Sequence, residues 1–280
     1  MLSRRRFFRF IAGLGAATFS TAAYGVGIEP VLRLRVARYH VTPPRWPADL
    51  KLTIAAIADL HACEPWMSLG HIEAIVAQAN ALNPDLIVML GDYVAGHRHI
   101  TRRIEANEWA PRLAGLKAPL GVHAILGNHD YWDDREVQRE GRGPTAARRG
   151  LEAAGVPVYE NDAVRLTKDG RPFWLAGLGD QLAYWPARRF RPVPRIGVDD
   201  LGATLAKVTD DAPVILLAHE PDVAMRVPSR YGNLLAYGHA QLNCDVVVSG
   251  GLGCSIMPFR LGVPPEIVLV TLGGRDPATS

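Results

Sequence analysis

An apolar run ends in an amide, an imidazole and a carboxylate at Val122-His123-Ala124-Ile125-Leu126-Gly127-Asn128-His129-Asp130. A short apolar run that is bounded by turn residues is typical of a buried strand. In open α/β sheets, ligands bind beyond the carboxyl ends of the strands. We therefore interpret the last four residues of this stretch as part of a functional site.

Three further apolar runs end in polar residues in the same way. Residues 54–58 precede Asp59-Leu60-His61, residues 86–90 precede Gly91-Asp92, and residues 214–218 precede His219-Glu220. Because the ends of neighbouring strands meet at one edge of a sheet, we expect these polar side chains to lie close together. The sequence thus predicts four strand ends that share one site.

The length and composition fit one globular domain behind a leader. The chain has 280 residues, and 48% of them are hydrophobic, which is enough to bury a full core. We expect residues 1–28 to be a twin-arginine-type signal or a membrane anchor. Residues 29–49 are then a connecting segment, and residues 50–280 are the main domain.

The leader combines a basic start with a long apolar stretch. Ser3-Arg4-Arg5-Arg6-Phe7-Phe8-Arg9 precedes the uncharged, mostly apolar residues 10–28, and this order resembles a twin-arginine export signal. The alternative is an ordinary transmembrane anchor, since the stretch is about long enough to cross a bilayer. Both interpretations predict an exported protein, in the periplasm or on the extracytoplasmic face of the cytoplasmic membrane. The first implies the twin-arginine export machinery as a partner, and both allow membrane association through the N-terminus.

The basic character of the chain belongs to this leader. Residues 1–28 contain four arginines and no acid, so the net charge of +3 falls to about −1 without them. A nucleic-acid-binding domain needs a basic face, and we therefore expect no nucleic-acid partner. One basic cluster remains, which is either a solvated loop or a wall that binds an anionic substrate: Arg188, Arg189, Arg191 and Arg195.

The order of periodic segments predicts an α/β fold with two sheets. Helical spacing is found at 71–82, 105–116 and 145–154, whereas the charged segment 135–143 is predicted to be a surface loop. Short β runs follow at 156–159, 164–166 and 173–178, then a long loop near the site at 180–196, and two more β runs at 246–249 and 267–272. Alternating β and α units followed by several strands favour two packed sheets with helices outside.

The four polar clusters contain the ligand types that bind divalent cations. Carboxylate, imidazole and amide groups suit Mn, Fe, Zn or Mg. Asp59 and His61 are two residues apart, so both can reach one ion from a strand end. Asp92 can bridge two ions with its two oxygens, and Asn128 and His219 can serve the second. Two ions roughly 3.5 to 4 Å apart would hold a bridging hydroxide and clamp a phosphate.

The remaining imidazole of the four-residue cluster is free for proton transfer. His129 can donate a proton to a leaving oxygen, and Asp130 can orient it through the other ring nitrogen. We therefore predict His129 and Asp130 as catalytic residues. The predicted ligands of two divalent metal ions are Asp59, His61, Asp92, Asn128 and His219.

The ordered set D-x-H, G-D, G-N-H-D and H resembles the calcineurin-like metallophosphoesterases from about residue 50 to the end. The exported bacterial branch is similar in its leader, in His219-Glu220-Pro221-Asp222 and in Gly251-Leu252-Gly253-Cys254-Ser255. The resemblance implies the metallophosphatase fold, a four-layer α/β/β/α sandwich of two mixed β-sheets flanked by helices. It also implies that one ion takes Asp59, His61 and Asp92, and that the other takes Asp92, Asn128 and His219.

One motif of that family is expected after His219 and is not found there. The family has G-H-x-H, which gives one histidine to each ion, whereas the nearest string beyond His219 is Gly238-His239-Ala240-Gln241. The flanking residues match the segment that follows this motif in the exported branch. We therefore favour a deletion between Met225 and Pro228 that removed a strand and both histidines. The alternative is that His239 or Gln241 replaces a lost ligand.

The expected function is hydrolysis of a phosphodiester, pyrophosphate or phosphomonoester by a dinuclear metal site with a bridging hydroxide. The expected substrate is a small-molecule or lipid-linked phosphate ester. Loss of one supporting residue typically weakens metal binding or activity by roughly 10 to 100-fold, and lost ligands cost more. The rival hypothesis is therefore a degenerate, catalytically weak or inactive protein of this fold that binds a phosphate-containing ligand.

Overall fold

Two five-stranded β-sheets form the centre of the protein in the computed structural model. The structure describes residues 4–43, 46–47, 49–184, 197–228 and 244–274, and the backbone of residues 233–241. In this part of the chain, the strands are β1 (Arg35–Val41), β2 (Leu52–Ile57), β3 (Cys63–Glu64), β4 (Leu86–Met89), β5 (Arg102–Arg103), β6 (Val122–Ala124), β7 (Asp162–Lys168), β8 (Arg171–Gly177), β9 (Val214–Leu217), β10 (Asn233–Gln241), β11 (Asp245–Val248) and β12 (Glu266–Leu272).

Helices connect these strands and cover the outer faces of the sheets. The α-helices are α1 (Arg4–Ala23), α2 (Glu29–Leu32), α3 (Leu69–Ala81), α4 (Ala106–Leu113), α5 (Asn128–Trp132), α6 (Arg135–Glu140), α7 (Ala146–Ala153) and α8 (Leu201–Ala206). A π-helical segment, Tyr24–Ile28, joins α1 to α2, and a 3₁₀ helix, Pro221–Met225, follows β9. The helices predicted at 71–82, 105–116 and 145–154 are thereby confirmed as α3, α4 and α7.

Both sheets are mixed. The first sheet has the order β1-β12-β2-β4-β6, in which β2, β4 and β6 are parallel and β12 runs antiparallel to β2. The second has the order β11-β10-β9-β8-β7, in which β7 and β8 are antiparallel and β8 and β9 are parallel. The strand β10 lies between β9 and β11.

The buried side chains define four layers. Ile54 and Ala56 face the second sheet, where they belong to the same apolar cluster as Phe173 and Leu217. Neighbouring residues on β2 point the other way, so Ile57 packs in a separate cluster with the helices α3, α4 and α7. This alternation follows from the two-residue repeat of a strand. The architecture is the α/β/β/α sandwich of two mixed sheets that the resemblance implies.

The segment 29–49, expected to connect the leader to the domain, contributes a strand to the first sheet. Its strand β1 pairs in parallel with β12 along seven residues. Before it, the continuous helical segment Arg4–Leu32 is long and apolar enough to cross a membrane, alone among the helices that the structure describes. An N-terminal helix of this kind is compatible with a signal sequence or an anchor.

Two elements differ from the sequence-based expectations. The segment 135–143, predicted to be a loop, contains α6, whose start is capped by the Asp134 side chain and whose end has Gly141 in the left-handed region. Buried Val137 anchors that helix. The prediction of a strand at 156–159 is wrong, since this segment forms only an isolated bridge between Val158 and Ala124. Pro157 has no N–H to donate, so a regular ladder cannot continue there.

The predicted arginine cluster around Arg188 lies outside the described residues, as does most of the 180–196 segment. Of His239 and Gln241, the structure describes the backbone alone. Their suggested roles therefore stay predictions.

Candidate metal centre

The loops that follow β2 and β4 run side by side and bring three polar residues to one sheet edge. The N–H of Asp59 donates to the carbonyl oxygen of Gly91 at 3.0 Å, and the N–H of His61 donates to that of Asp92 at 2.9 Å. Because β2 and β4 are parallel, both chains leave the sheet at the same end. The adjacency of these residues is therefore a consequence of strand order.

Three of the predicted ligands have an uncommon backbone conformation. The φ angles of Asp59, His61 and Asp92 are 53°, 46° and 59°, in the left-handed region. Residues other than glycine seldom occupy this region, and such conformations cluster at functional sites, where the surrounding structure enforces them. The tight turns aim all three side chains toward one another.

Two histidines face Asp92 with the same ring atom. The Nδ1 atom of His61 lies 2.9 Å from the carbonyl oxygen of Val94, and that of His219 lies 2.8 Å from that of Leu90. A carbonyl can only accept, so each Nδ1 carries the hydrogen and each Nε2 is left for another partner. The two Nε2 atoms lie 3.5 and 3.4 Å from Asp92 Oδ2.

The arrangement fits divalent cations. Ligand atoms of Asp59, Asp92 and His219 lie within 4.8 Å of one another, and hard or borderline cations prefer this mixture of carboxylate and imidazole. Glycines leave space around them: a Cβ on Gly127 would lie 2.4 Å from Asp92 Oδ1, and one on Gly251 would lie 2.7 Å from Asp59 Oδ2. The donor set and the small flanking residues both match a metal centre.

Burial and charge shift the pKa values of this cluster strongly. Burial raises the pKa of Asp59 and lowers the pKa of His61. For Asp92, burial acts to raise the pKa, but the charge of His219 and its hydrogen bond hold the pKa below the ordinary value. Burial acts to lower the pKa of His219, yet Asp92, Asp59 and Asp180 together raise it well above the ordinary value. A protonated His219 must lose the proton on Nε2 before that atom can bind an ion, so ion binding weakens at low pH.

Helix α5 brings the four-residue cluster to the same place. Asn128 is its first residue and is buried. The backbone N–H of His129 donates to Asp92 Oδ1 at 2.9 Å. The ring of His129 packs edge-on against that of His61, with 5.0 Å between the centroids. The structure thus brings both predicted metal-ligating histidines, Asp59, Asp92 and His129 into one site, and Asn128 directly precedes His129 in α5.

The expected pairing of His129 with Asp130 is wrong. The carboxylate of Asp130 turns toward the backbone, where Oδ2 accepts from the N–H groups of Asp92 and Gly127 and Oδ1 accepts from that of Tyr93, each at 2.9 Å. Asp130 occupies the third position of α5, and a carboxylate there reaches back to the unpaired N–H groups at the helix start. Asp130 therefore holds two site loops together.

The partner of His129 is Asp133. Its Oδ2 lies 3.2 Å from His129 Nδ1, and its Oδ1 accepts from Arg103 Nη2 at 2.9 Å. The two residues are four apart on a helix, which places them on one face. This spacing in the sequence is the signal that would have identified Asp133.

A second overlooked segment, Gly96-His97-Arg98-His99, lies against this pair. A Cβ on Gly96 would lie 2.4 Å from Asp133 Oδ2 and 3.0 Å from His129 Nδ1. His97 is buried, and its Nε2 has no hydrogen-bond partner among the residues that the structure describes. The four letters G-H-x-H occur here, shortly after Asp92, whereas sequence reasoning looked for them only after His219.

Asp180 was also overlooked by sequence reasoning. It follows β8, and one of its carboxylate oxygens lies within 4.8 Å of a ring nitrogen of His219 and a carboxylate oxygen of Glu220. Burial raises the pKa of Asp180 to about 7. The signal in the sequence was a Gly-Asp pair after an apolar run, the same pattern as Gly91-Asp92.

Comparisons with known proteins agree with this geometry. The chain is 27% identical to the uncharacterized metallophosphoesterase YkuE of Bacillus subtilis, over 97% of this chain and 98% of that protein. It is 27% identical to the UDP-2,3-diacylglucosamine pyrophosphatase LpxG of Chlamydia muridarum, over 82% of this chain and 75% of the relative. It is 29% identical to the phosphodiesterase YaeI of Escherichia coli, over 85% of this chain and 77% of that protein. The family model of the calcineurin-like phosphoesterases matches residues 52–252, and the chain belongs to this family.

Proposed function

We propose that the protein is a metal-dependent phosphoesterase that hydrolyses a phosphodiester, pyrophosphate or phosphomonoester. One divalent ion would be held by Asp59, His61 and Asp92, and the other by Asp92, Asn128 and His219. The observation that carries the proposal is the position of Asp92 Oδ2, within 3.5 Å of the Nε2 atoms of two histidines. Mn, Fe, Zn and Mg all suit this donor set.

The residues of the chain divide the work of hydrolysis. When bound, the ions would neutralise phosphate charge and make an attacking water more acidic. His129, which is hydrogen-bonded to Asp133, donates a proton to the leaving oxygen. Asp130 keeps the loops of Asp92 and Gly127 in register through its three backbone contacts.

The relatives support a diester or anhydride substrate. LpxG is named for hydrolysis of a diacylglucosamine nucleotide, and YaeI is named a phosphodiesterase. A lipid-linked phosphate ester is the substrate class that best combines these names with the N-terminal apolar helix. Chromatography of products from a panel of phosphodiesters, pyrophosphates and monoesters identifies the bond that is cleaved.

The proposed location is the extracytoplasmic face of the cytoplasmic membrane, reached through the twin-arginine machinery. Support comes from an apolar loop, residues 255–263, beside the base of the N-terminal helix. Arg260 N donates to Gly25 O at 2.9 Å, and Gly262 N donates to Glu29 Oε2 at 3.0 Å. Ile256 and Met257 are 79% and 60% exposed there. Apolar side chains beside a membrane-spanning helix can enter the lipid interface.

The test of the function is turnover by the metal-loaded full chain in detergent. Asp92→Ala removes the carboxylate shared by both ions and should lower turnover by roughly 100-fold or more. Asp211→Ala removes an exposed carboxylate and serves as the control. Equal turnover in the Asp92→Ala variant would overturn the proposed centre.

The second candidate is a binding protein without turnover. It is favoured by the sequence beyond His219, which contains Gly238-His239-Ala240-Gln241 and no G-H-x-H. A ligand that binds only the folded state raises the melting temperature by mass action. A rise with inorganic phosphate, together with no hydrolysis of any ester in the panel, would select this candidate.

A further inference from the structure

Two carboxylates stand beside His219 and are not used by the proposed ligand set. The strands β8 and β9 are parallel, with Gly177 opposite Leu217, and the N–H of Leu178 donates to Leu217 O at 3.0 Å. The two chains therefore leave the second sheet together. Asp180 follows the first of these strands, and His219-Glu220 follows the second.

The side chain of Asp180 is buried with one oxygen unsatisfied. Asp180 is 2% exposed, and its Oδ1 accepts from the N–H of Leu182 at 2.7 Å. Its Oδ2 has no hydrogen-bond partner among the residues that the structure describes. A buried polar atom without a partner is costly and uncommon, so each case calls for a specific explanation. A bound cation supplies one here.

The neighbours of Asp180 indicate which cation this is. Ligand atoms of Asp180, His219 and Glu220 all lie within 4.8 Å of one another. His219 Nε2 also faces Asp92 Oδ2 at 3.4 Å. An ion that is bound by His219 would therefore have carboxylates on two sides, Asp92 from the first sheet and the Asp180 and Glu220 pair from the second.

We propose that Asp180 and Glu220 are ligands of the ion that His219 binds and complete its coordination together with Asp92 and Asn128. A set with three carboxylates, one amide and one imidazole favours a hard ion such as Mn²⁺ or Mg²⁺ over Zn²⁺. This assignment deepens the proposed function and rests on it, since the same centre must bind ions.

The test is Mn²⁺ binding by the full chain in detergent, without any measurement of turnover. Elemental analysis gives the number of ions per chain, and electron paramagnetic resonance of free Mn²⁺ gives the dissociation constants. The variants Asp180→Asn and Glu220→Gln keep the side-chain shape and remove one charge each. The control Asp211→Asn removes a charge from an exposed carboxylate before β9.

The expected result is two ions in the wild-type chain and a weakened second ion in both variants. Loss of one ligand charge should raise one dissociation constant by at least roughly 10-fold and leave the other unchanged. Asp211→Asn should retain both wild-type constants. Glu220 is only half-buried, so Glu220→Gln carries the test even where Asp180→Asn fails to fold.

The failures are distinguishable. Wild-type dissociation constants in both Asp180→Asn and Glu220→Gln would overturn this inference and leave the proposed function standing. So would a single wild-type ion that is lost in Asp92→Asn and retained in both variants. A wild-type chain that binds no Mn²⁺, Mg²⁺, Fe²⁺ or Zn²⁺ would overturn the inference and the proposed function together.

Discussion

Asp133 Oδ2 lies 3.2 Å from His129 Nδ1. Asp133 is the residue that ends α5, about one helical turn after His129. The contact occupies Nδ1 and holds the imidazole next to the ring of His61. Arg103 holds the other oxygen of Asp133. Because Arg103 and the Gly96 backbone constrain the pair, its effect on proton transfer can be measured by single substitutions.

Asp133→Asn should shift the pH dependence of turnover. Burial acts to lower the pKa of His129, but Asp133 and Asp92 outweigh burial and raise the pKa above its ordinary value. Removal of the Asp133 charge lowers that pKa, so the basic limb of the kcat/KM profile should move to lower pH. The rate itself should fall roughly 10 to 100-fold. Glu136→Gln changes an exposed acid on the neighbouring helix α6 and should leave the profile in place.

The contribution of the Asp133–His129 pair to the stability of the fold should depend on pH. A histidine with a raised folded-state pKa stabilises the fold below its unfolded pKa, and this contribution is lost as the pH rises through the folded pKa. The excess stability of wild type over Asp133→Asn, measured by urea denaturation of the metal-free protein, should therefore decrease as the pH rises through neutrality. A pH-independent difference would show that Asp133 does not stabilise the protonated form of His129.

Gly127→Ala should remove bound metal through steric clashes within the site. The φ angle of Gly127 is −109°, which alanine adopts freely, so the effect is steric. The new Cβ would lie 2.4 Å from Asp92 Oδ1 and 2.7 Å from His219 Cε1. We expect metal affinity to fall by roughly 10-fold or more, measured by elemental analysis after dialysis. Gly70→Ala, where the Cβ meets only Ser68 Oγ at 3.9 Å, is the matched control; equal metal content in the two variants would contradict the geometry.

Asp130→Ala should destabilise the fold. The substitution strands the N–H groups of Asp92, Tyr93 and Gly127 in a buried environment. Each unsatisfied buried donor costs about 1 to 3 kcal/mol, so the loss in the free energy of unfolding should be on the order of 3 kcal/mol or more. Denaturant midpoints at an unchanged slope measure it. Asp211→Ala should stay within about 0.5 kcal/mol of wild type.

The apolar loop should lie in the lipid interface. Met257→Cys and Met225→Cys place a spin label at positions that are 60% and 71% exposed. In bilayer discs, the label at 257 should collide more with oxygen than with a water-soluble nickel chelate, because oxygen concentrates in lipid. The label at 225, in the 3₁₀ helix after β9, should show the reverse. Equal water access at both positions would exclude membrane contact of the loop.

The sequence indicated most of the fold because its signals are local. Apolar runs that end in turn residues predicted β2, β4 and β9, and helical spacing predicted α3, α4 and α7. The segment of α6 was missed because its six residues bury only Val137, so its periodicity is too short to detect. The run at 156–159 was misassigned because its apolar pattern was given more weight than Pro157, which cannot donate to a ladder.

The sequence by itself determined which residues could bind metal, because carboxylate, imidazole and amide groups at the ends of apolar runs can be recognised without the tertiary structure. Only the tertiary structure decided how they pair. Asp130 is next to His129 in the chain but turns back to the helix start, whereas Asp133, four residues along α5, lies on the histidine's face. Asp180 is distant from His219 in sequence and meets it because β8 and β9 are parallel. Pairing depends on strand order and helix phase, and these are fixed by burial across the whole chain.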